Sequence, residues 1–380
     1  MKEFFLIKDK KDSNKILIYW LLSILSILLI TTLGDYILDS RLYQLNKLFD
    51  IEHYFNIAQN GYTQYYEFAF FPVVPLIMKF FNIFNIPILG MVILNNILCL
   101  LSTYLIYNIL TDIYKVNKNT VMIVCKLWLF SPIRVFTFVP YTESLFIFLP
   151  LISFYLYKKR KSPLLLGIVM GLSVATRSMG SIIFFVLFGF LFIEMIRDKS
   201  KEEKKAKFKY IIITYIPATI ISCLYPIYLQ YMTGSWRYFI DVQYEHWGRV
   251  KGNIIKALAF DINRLMESTN LEVIIMILLT FISLFVAIML IVLSITKNKF
   301  EKLDLILILA ISILTMFSTY RDIGISAGTT SFFRYIYGLI PMYLLIDNES
   351  GDVVEKLLLS LNTLIFVMVT FLFLGNKFIA

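Results

Sequence analysis

The sequence predicts an all-α, polytopic integral membrane protein, residues 1–380 forming one unit with no separate soluble domain. Three observations carry that prediction. Hydrophobic residues make up 59% of the chain and charged residues 16%, against an apolar share of about 45–50% in soluble domains. Apolar runs of about 20 residues, enough to cross roughly 30 Å of hydrocarbon, recur from end to end. Lys and Arg collect in short loops between those runs, as they do in cytoplasmic loops of membrane proteins.

About eleven spans are expected, over residues 15–34, 86–110, 120–139, 141–157, 163–176, 181–196, 210–231, 271–295, 305–319, 333–345 and 356–374. The first follows a basic leader with Lys8, Lys10, Lys11 and Lys15. Because "TTLGDYILDS" offers no small-residue cleavage pattern, this run reads as an uncleaved span and not as a signal peptide. A cytoplasmic N-terminus makes the leader, Lys115 with "NKN", "KKRK", "RDKSKEEKKAKFK", "KNKFEK" and Lys356 all cytoplasmic. The first external loop (35–85), the second (232–270) and the loop around Arg321 then face the other side.

The formal charge of +10 follows from the same bias, so no nucleic-acid partner is expected. "RDKSKEEKKAKFK" reads as a solvated topogenic loop in preference to a site for anionic lipid. Cys99, Cys125 and Cys223 lie far apart inside apolar runs and read as small packing residues. With His53 and His246 the only histidines, a multi-His metal cluster is excluded. No inverted pair of broken spans marks a secondary transporter.

The external segments hold the polar chemistry. In "FDIEHYFNIAQNGYTQYYEFAFFPVVPL" (49–76), a helical spacing places Ile51, Phe55 and Ala58 on one stripe and Asp50, His53 and Ile57 on another, which predicts an interfacial helix. Asn60-Gly61 should end it. Pro72 and Pro75 are expected to prevent a regular helix and fold "AFFPVVPL" back along the membrane surface. Asp50 is either a general base, ionised at neutral pH, or an acidic residue favoured in a first helical turn by the macrodipole.

Glu143 in "VPYTESLF", Arg177 in "ATRSMGS" and Arg334 in "SFFRYIYGLIP" each stand at the external end of an expected span. Ionisable groups there are candidates for function, with snorkelling to the interface as the ordinary alternative for arginine. Two guanidinium forks on the same side as Asp50 suit a phosphate group. In "YMTGSWRYFIDVQYEHWGR", Trp236, Tyr244 and Trp247 either stack on sugar faces or form an aromatic belt, while Gln243, Glu245 and His246 can bond hydroxyls. Glu67 and His53 read as acceptor contacts or loop scaffolding.

These stretches resemble a known family. "FDIEHYFNIAQNGY" followed by "EFAFFPVVPL" is similar to the first luminal loop of the GPI mannosyltransferase II (PIG-V-like) family. "PYTESLF", which begins at Tyr141, and "GLSVATRSMGSI" resemble two further family stretches in the same order, and "VQYEHWG" and "FRYIYGLIP" resemble its C-terminal half more loosely. The resemblance covers most of the chain, with Phe49 in place of the Trp often found before the family's aspartate.

The resemblance implies a GT-C-like bundle of about eleven transmembrane helices with interfacial helices in the first external loop. It also implies transfer of a sugar, in this family mannose, from a polyprenyl-phosphate donor to a lipid-linked or surface glycan acceptor. Asp50 takes the catalytic role by this resemblance. Arg177 and Arg334 are expected at the donor phosphate, and Glu52, His53, Glu67, Tyr141, Glu143, Gln243 and Trp247 at the substrates. No cofactor is required; a divalent metal held by Asp50 and Glu52 is the alternative. The expected location is the cell membrane of a prokaryote, or the endoplasmic reticulum of a eukaryote, among membrane lipids. The rival is a lipid or glycolipid transporter that breaks no bond.

Overall fold

A computed structural model describes residues 7, 9–38, 45, 47–296, 300–322, 326–346, 352–375 and 377. Lys2 and Lys8 of the leader, residues 39–44 and 46 of the first external loop, and Lys297 and Lys299 of "KNKFEK" lie outside them. The protein is almost entirely helical. Its helices are α1 (Lys10–Leu38), α2 (Asp50–Asn60), α3 (Val73–Asn82), α4 (Pro87–Asn108), α5 (Lys118–Leu129), α6 (Glu143–Lys158), α7 (Pro163–Thr176) and α8 (Ser181–Arg197). They continue as α9 (Lys201–Thr233), α10 (Tyr238–Glu245), α11 (Ile254–Glu267), α12 (Leu271–Thr296), α13 (Leu303–Met316), α14 (Phe332–Tyr337), α15 (Ile340–Leu344) and α16 (Asp352–Leu374). Two short strands, β1 (Arg249–Lys251) and β2 (Thr319–Arg321), pair antiparallel.

Among the described residues, five helical segments are long and apolar enough to cross a membrane: Lys10–Gly34, Pro87–Ile113, Ser178–Arg197, Lys201–Thr233 and Leu271–Thr296. They mark an integral membrane protein and coincide with five of the eleven expected spans. Val73–Asn82, Pro163–Thr176, Leu303–Met316 and Leu358–Leu374 are apolar but shorter.

Two expected spans are not single helices. The run 120–139 leaves helix at Leu129 and passes through a 3₁₀ turn at Pro132–Arg134. Pro132, which lacks an N–H and forces Ser131 into an extended conformation, accounts for the break. Beyond it Arg134 is fully buried, its guanidinium donating to Ser23 Oγ (3.0 Å), Thr137 Oγ1 (3.2 Å) and Asn96 Oδ1 (2.7 Å). Irregular backbone at such depth is tolerable where protein, and not lipid, surrounds it. The run 333–345 splits into α14 and α15 around Gly338, with Pro341 in the first turn of α15.

The prolines of the first loop also act differently from expectation. Pro72 caps α3 and Pro75 sits in its first turn. There a missing N–H costs no intrahelical bond, so the pair starts a helix instead of preventing one. By contrast, α2 ends at Asn60 as expected, with Gly61 at φ 75° and its N–H on Ile57 O at 2.9 Å. Its buried face is Ile51, Tyr54, Ile57 and Ala58. The charged run 201–209 is the exposed opening of α9, capped by Ser200.

Helices α7 and α9 touch along Gly167 and Gly171. A Cβ on Gly167 would lie 2.0 Å from Thr214 O, and one on Gly171 2.7 Å from Ile221 Cβ. Small residues four apart let two backbones close in this way. Gly167→Ala should therefore lower stability by about 1–3 kcal/mol, the usual cost of overpacking, seen as a lower Tm in detergent. Cys99 and Cys125 are buried and unpaired as expected of packing residues, while Cys223 is exposed.

Candidate functional site

The short connection between α6 and α7 folds them into a helical hairpin, so the first residue of one and the last of the other share an end. Glu143 begins α6, where the macrodipole favours a carboxylate, and Arg177 follows the last residue of α7. Their side chains meet, Arg177 Nη1 donating to Glu143 Oε1 at 3.0 Å and to Thr142 Oγ1 at 3.4 Å. Arg334, from the short helix α14, brings its Nε to 3.1 Å from the same Oε1 as an ion pair, without a hydrogen bond.

The other end of the Arg334 guanidinium reaches Asp50, the first residue of α2. Nη1 and Nη2 lie 3.5 and 3.4 Å from Oδ2. A chain Arg177–Glu143–Arg334–Asp50 results. Glu143 and Arg334 are 2% and 3% exposed, Arg177 17% and Asp50 30%. The two buried charges are thus paired, as burial requires. Asp50 Oδ1 has no partner among the described residues, which leaves one carboxylate oxygen open toward the solvent side.

Aromatic rings floor the chain. The guanidinium carbon of Arg334 lies 4.9 Å from the Tyr141 ring centre and 5.3 Å from that of Phe136, and the carbon of Arg177 lies 4.0 Å from Tyr335. Rings at these distances attract the cations while excluding water.

Two non-glycine residues with left-handed backbone precede the site. Phe49, before Asp50, has φ 42°, and Ser331, at the entry to α14, has φ 70°. Such conformations cost about 1–3 kcal/mol each and persist where surroundings over-determine them. For Ser331 the surroundings are visible. Buried Asp261 on α11 accepts from Gly328 N at 2.6 Å, Thr329 N at 3.3 Å and the Thr329 hydroxyl, clamping the turn that leads to Arg334.

The two loops expected to be external, 35–85 and 232–270, come together beside Asp50. His53 stacks on Phe70 at 4.7 Å and meets Trp247 edge-on at 5.8 Å. His246 stacks on Tyr66 at 4.8 Å and touches the Tyr65 hydroxyl at 3.0 Å through Nδ1. Trp247 Nε1 is out of solvent and unpartnered. Gln243 is half-buried on α10 without a partner among the described residues, and Glu52 is exposed.

Glu67 proves to be scaffold. At 1% exposure it accepts from Thr63 N (2.8 Å), Gln64 N (2.9 Å), the Thr63 hydroxyl (3.3 Å) and the Asn56 amide. Its carboxylate joins α2 to the turn after it, leaving nothing free for an acceptor. Glu67→Ala should loosen residues 61–70, measured as faster proteolysis within that segment, because two backbone N–H groups lose a charged acceptor worth about 1.5–3 kcal/mol.

Sequence reasoning missed Arg249 and Arg321. They are register partners across the β1–β2 ladder. Arg249 stands in the field of Arg177, Arg334 and Tyr335, and its guanidinium carbon is 5.3 Å from the Phe332 ring centre. The signal was the charge itself, an arginine in each of two polar segments, but nothing local to either segment announces the pairing.

An apolar cleft adjoins the chain of charges. It is lined by Phe146, Pro150, Phe154, Ile182, Leu305 and Leu339, among others. Phe146 belongs to both features, its ring centre 5.6 Å from the Arg177 guanidinium carbon. No three His, Cys, Asp or Glu side chains are grouped to hold a metal ion among the described residues. No protein-family model, curated protein or solved structure matches this chain.

Proposed function

We propose that this protein is a polytopic GT-C-like glycosyltransferase that moves a sugar, by its resemblance mannose, from a polyprenyl phosphate to a lipid-linked or surface glycan on the non-cytoplasmic face. The observation that carries the reading is Asp50: a partly exposed carboxylate, one oxygen steered by Arg334 and the other open, set where two aromatic loops meet.

In this reading Asp50 Oδ1 accepts the proton of the acceptor hydroxyl. The acceptor oxygen bonds to the anomeric carbon from the side opposite the lipid phosphate, the carbon–oxygen bond to phosphate breaks, and configuration inverts. Proton transfer late in bond formation needs only a modest base, which an ion-paired aspartate is. Negative charge growing on the departing phosphate is stabilised by guanidinium groups near Asp50, and positive charge on the sugar by Asp50 itself. Rings of His53, Tyr66, Phe70 and Trp247 offer faces for sugar, and the apolar lining of the cleft matches an isoprenoid chain in chemistry.

The experiment is transfer in detergent or liposomes from a panel of polyprenyl-phosphate hexoses. Free polyprenyl phosphate should appear in step with glycosylated acceptor. Failure of every donor to react with the folded protein would sink the proposal.

A further inference from the structure

Charge around the site does not balance. Asp50 and Glu143 match Arg334 and Arg177. Arg249 and Arg321 remain, and neither has a carboxylate partner among the described residues. Antiparallel register partners project to the same face, so the pairing of Arg249 with Arg321 sets two positive charges side by side. Like charges opposed in a ladder are destabilising. Burial worsens it: it pushes the Arg249 guanidinium below its ordinary range, with Arg321, Arg177 and Arg334 adding to the effect against Tyr335, and burial alone lowers Arg321. Arginine nevertheless stays protonated in proteins. Arg321 Nε is also out of solvent with no acceptor.

The ladder is held firmly in this costly arrangement. Arg321 N donates to Gly328 O at 2.8 Å, in the turn that Asp261 clamps, and Asp322 N donates to Gly248 O at 2.9 Å. Gly252 lets the Tyr320 ring lie against the backbone, since a Cβ there would sit 2.5 Å from Tyr320 Cδ1. Two arginines paired across this ladder, without carboxylate partners among the described residues and partly dry, fit a doubly charged oxyanion, because each fork can donate paired bonds to phosphate oxygens.

We propose that Arg249 and Arg321 form the phosphate-binding site of this protein, taking the phosphate monoester of a lipid or a free phosphate. Arg177 and Arg334, already matched by carboxylates, then serve chiefly to hold Asp50 and Glu143. The inference deepens the transferase reading, but its test reads binding and not turnover.

The test uses the full chain in detergent, with affinity measured by thermal shift for farnesyl phosphate, inorganic phosphate and, as a neutral control, farnesol. The wild type should be stabilised by farnesyl phosphate and not by farnesol. Stabilisation by inorganic phosphate as well identifies free phosphate as a sufficient ligand, and its lack identifies a lipid headgroup. Arg249→Gln and Arg321→Gln should each weaken phosphate binding at least about tenfold, or 1.4 kcal/mol. Without ligand, both should melt no lower than wild type, since each removes an uncompensated charge; a merely structural arginine would lower the Tm. If either glutamine variant fails to fold, Arg→Lys at that position keeps the charge, loses the fork and should still bind more weakly. Wild-type affinity in both variants, or no binding of any phosphate by the wild type, would overturn the proposal. A protein that binds phosphate here yet transfers no sugar would sink the transferase reading alone.

Discussion

Asp50→Asn should abolish sugar transfer while leaving the protein folded and its donor bound. Positioned proton transfer contributes about 10² to 10⁴ in rate, so the loss in kcat should fall in that range with little change in donor KM. The substitution is nearly isosteric, and asparagine tolerates the first turn of α2. Arg334 loses one of its two carboxylates but keeps Glu143, shared with Arg177, at 3.1 Å, so it retains an ionic contact. Stability and catalysis can therefore be separated at this residue. Turnover by the variant within a few-fold of wild type would show that Asp50 only complements the dipole at the start of α2.

The largest effect on stability should come from Glu143→Ala. Glu143 is 2% exposed and is the carboxylate shared by Arg177 and Arg334. Its removal leaves Arg177 without a carboxylate and Arg334 with only the longer contact to Asp50, at 3.4 Å. Breaking a buried pair from one side costs about 3–5 kcal/mol, because the remaining charge stays buried. A marked fall in Tm should result, with activity lost as well. Adding Arg177→Met to Glu143→Ala should recover part of that fall by removing one stranded charge. A change below about 0.5 kcal/mol, the range of ordinary surface substitutions, would mean that water reaches this network freely.

Legibility in the sequence followed the range of the physics involved. Spans governed by composition alone, such as 271–295, reappear as continuous helices. The stop at Asn60-Gly61 is equally local and equally readable. Asp50, Glu143, Arg177 and Arg334 were legible only as ionisable residues at one expected membrane face, the arginines assigned to phosphate; their pairing with the two carboxylates is visible in the structure alone. What escaped depends on partners distant in the chain. Arg134 is buried just past the break at Ser131-Pro132 because Ser23 and Asn96 come from other helices to receive it. Pro72 and Pro75 carry the same local signal whether they end a helix or begin one. Arg249 and Arg321 become a pair only through a ladder between segments that share no pattern.

The most direct measurement follows a polyprenyl-phosphate sugar, labelled in both sugar and lipid, through proteoliposomes of the purified chain supplied with acceptor glycan. Glycosyl transfer predicts that the sugar label moves to the acceptor with inverted anomeric configuration, that free polyprenyl phosphate appears in equal amount, and that Asp50→Asn does neither. Donor that crosses the bilayer with both labels still joined, equally in wild type and Asp50→Asn, would contradict the account and identify a transporter.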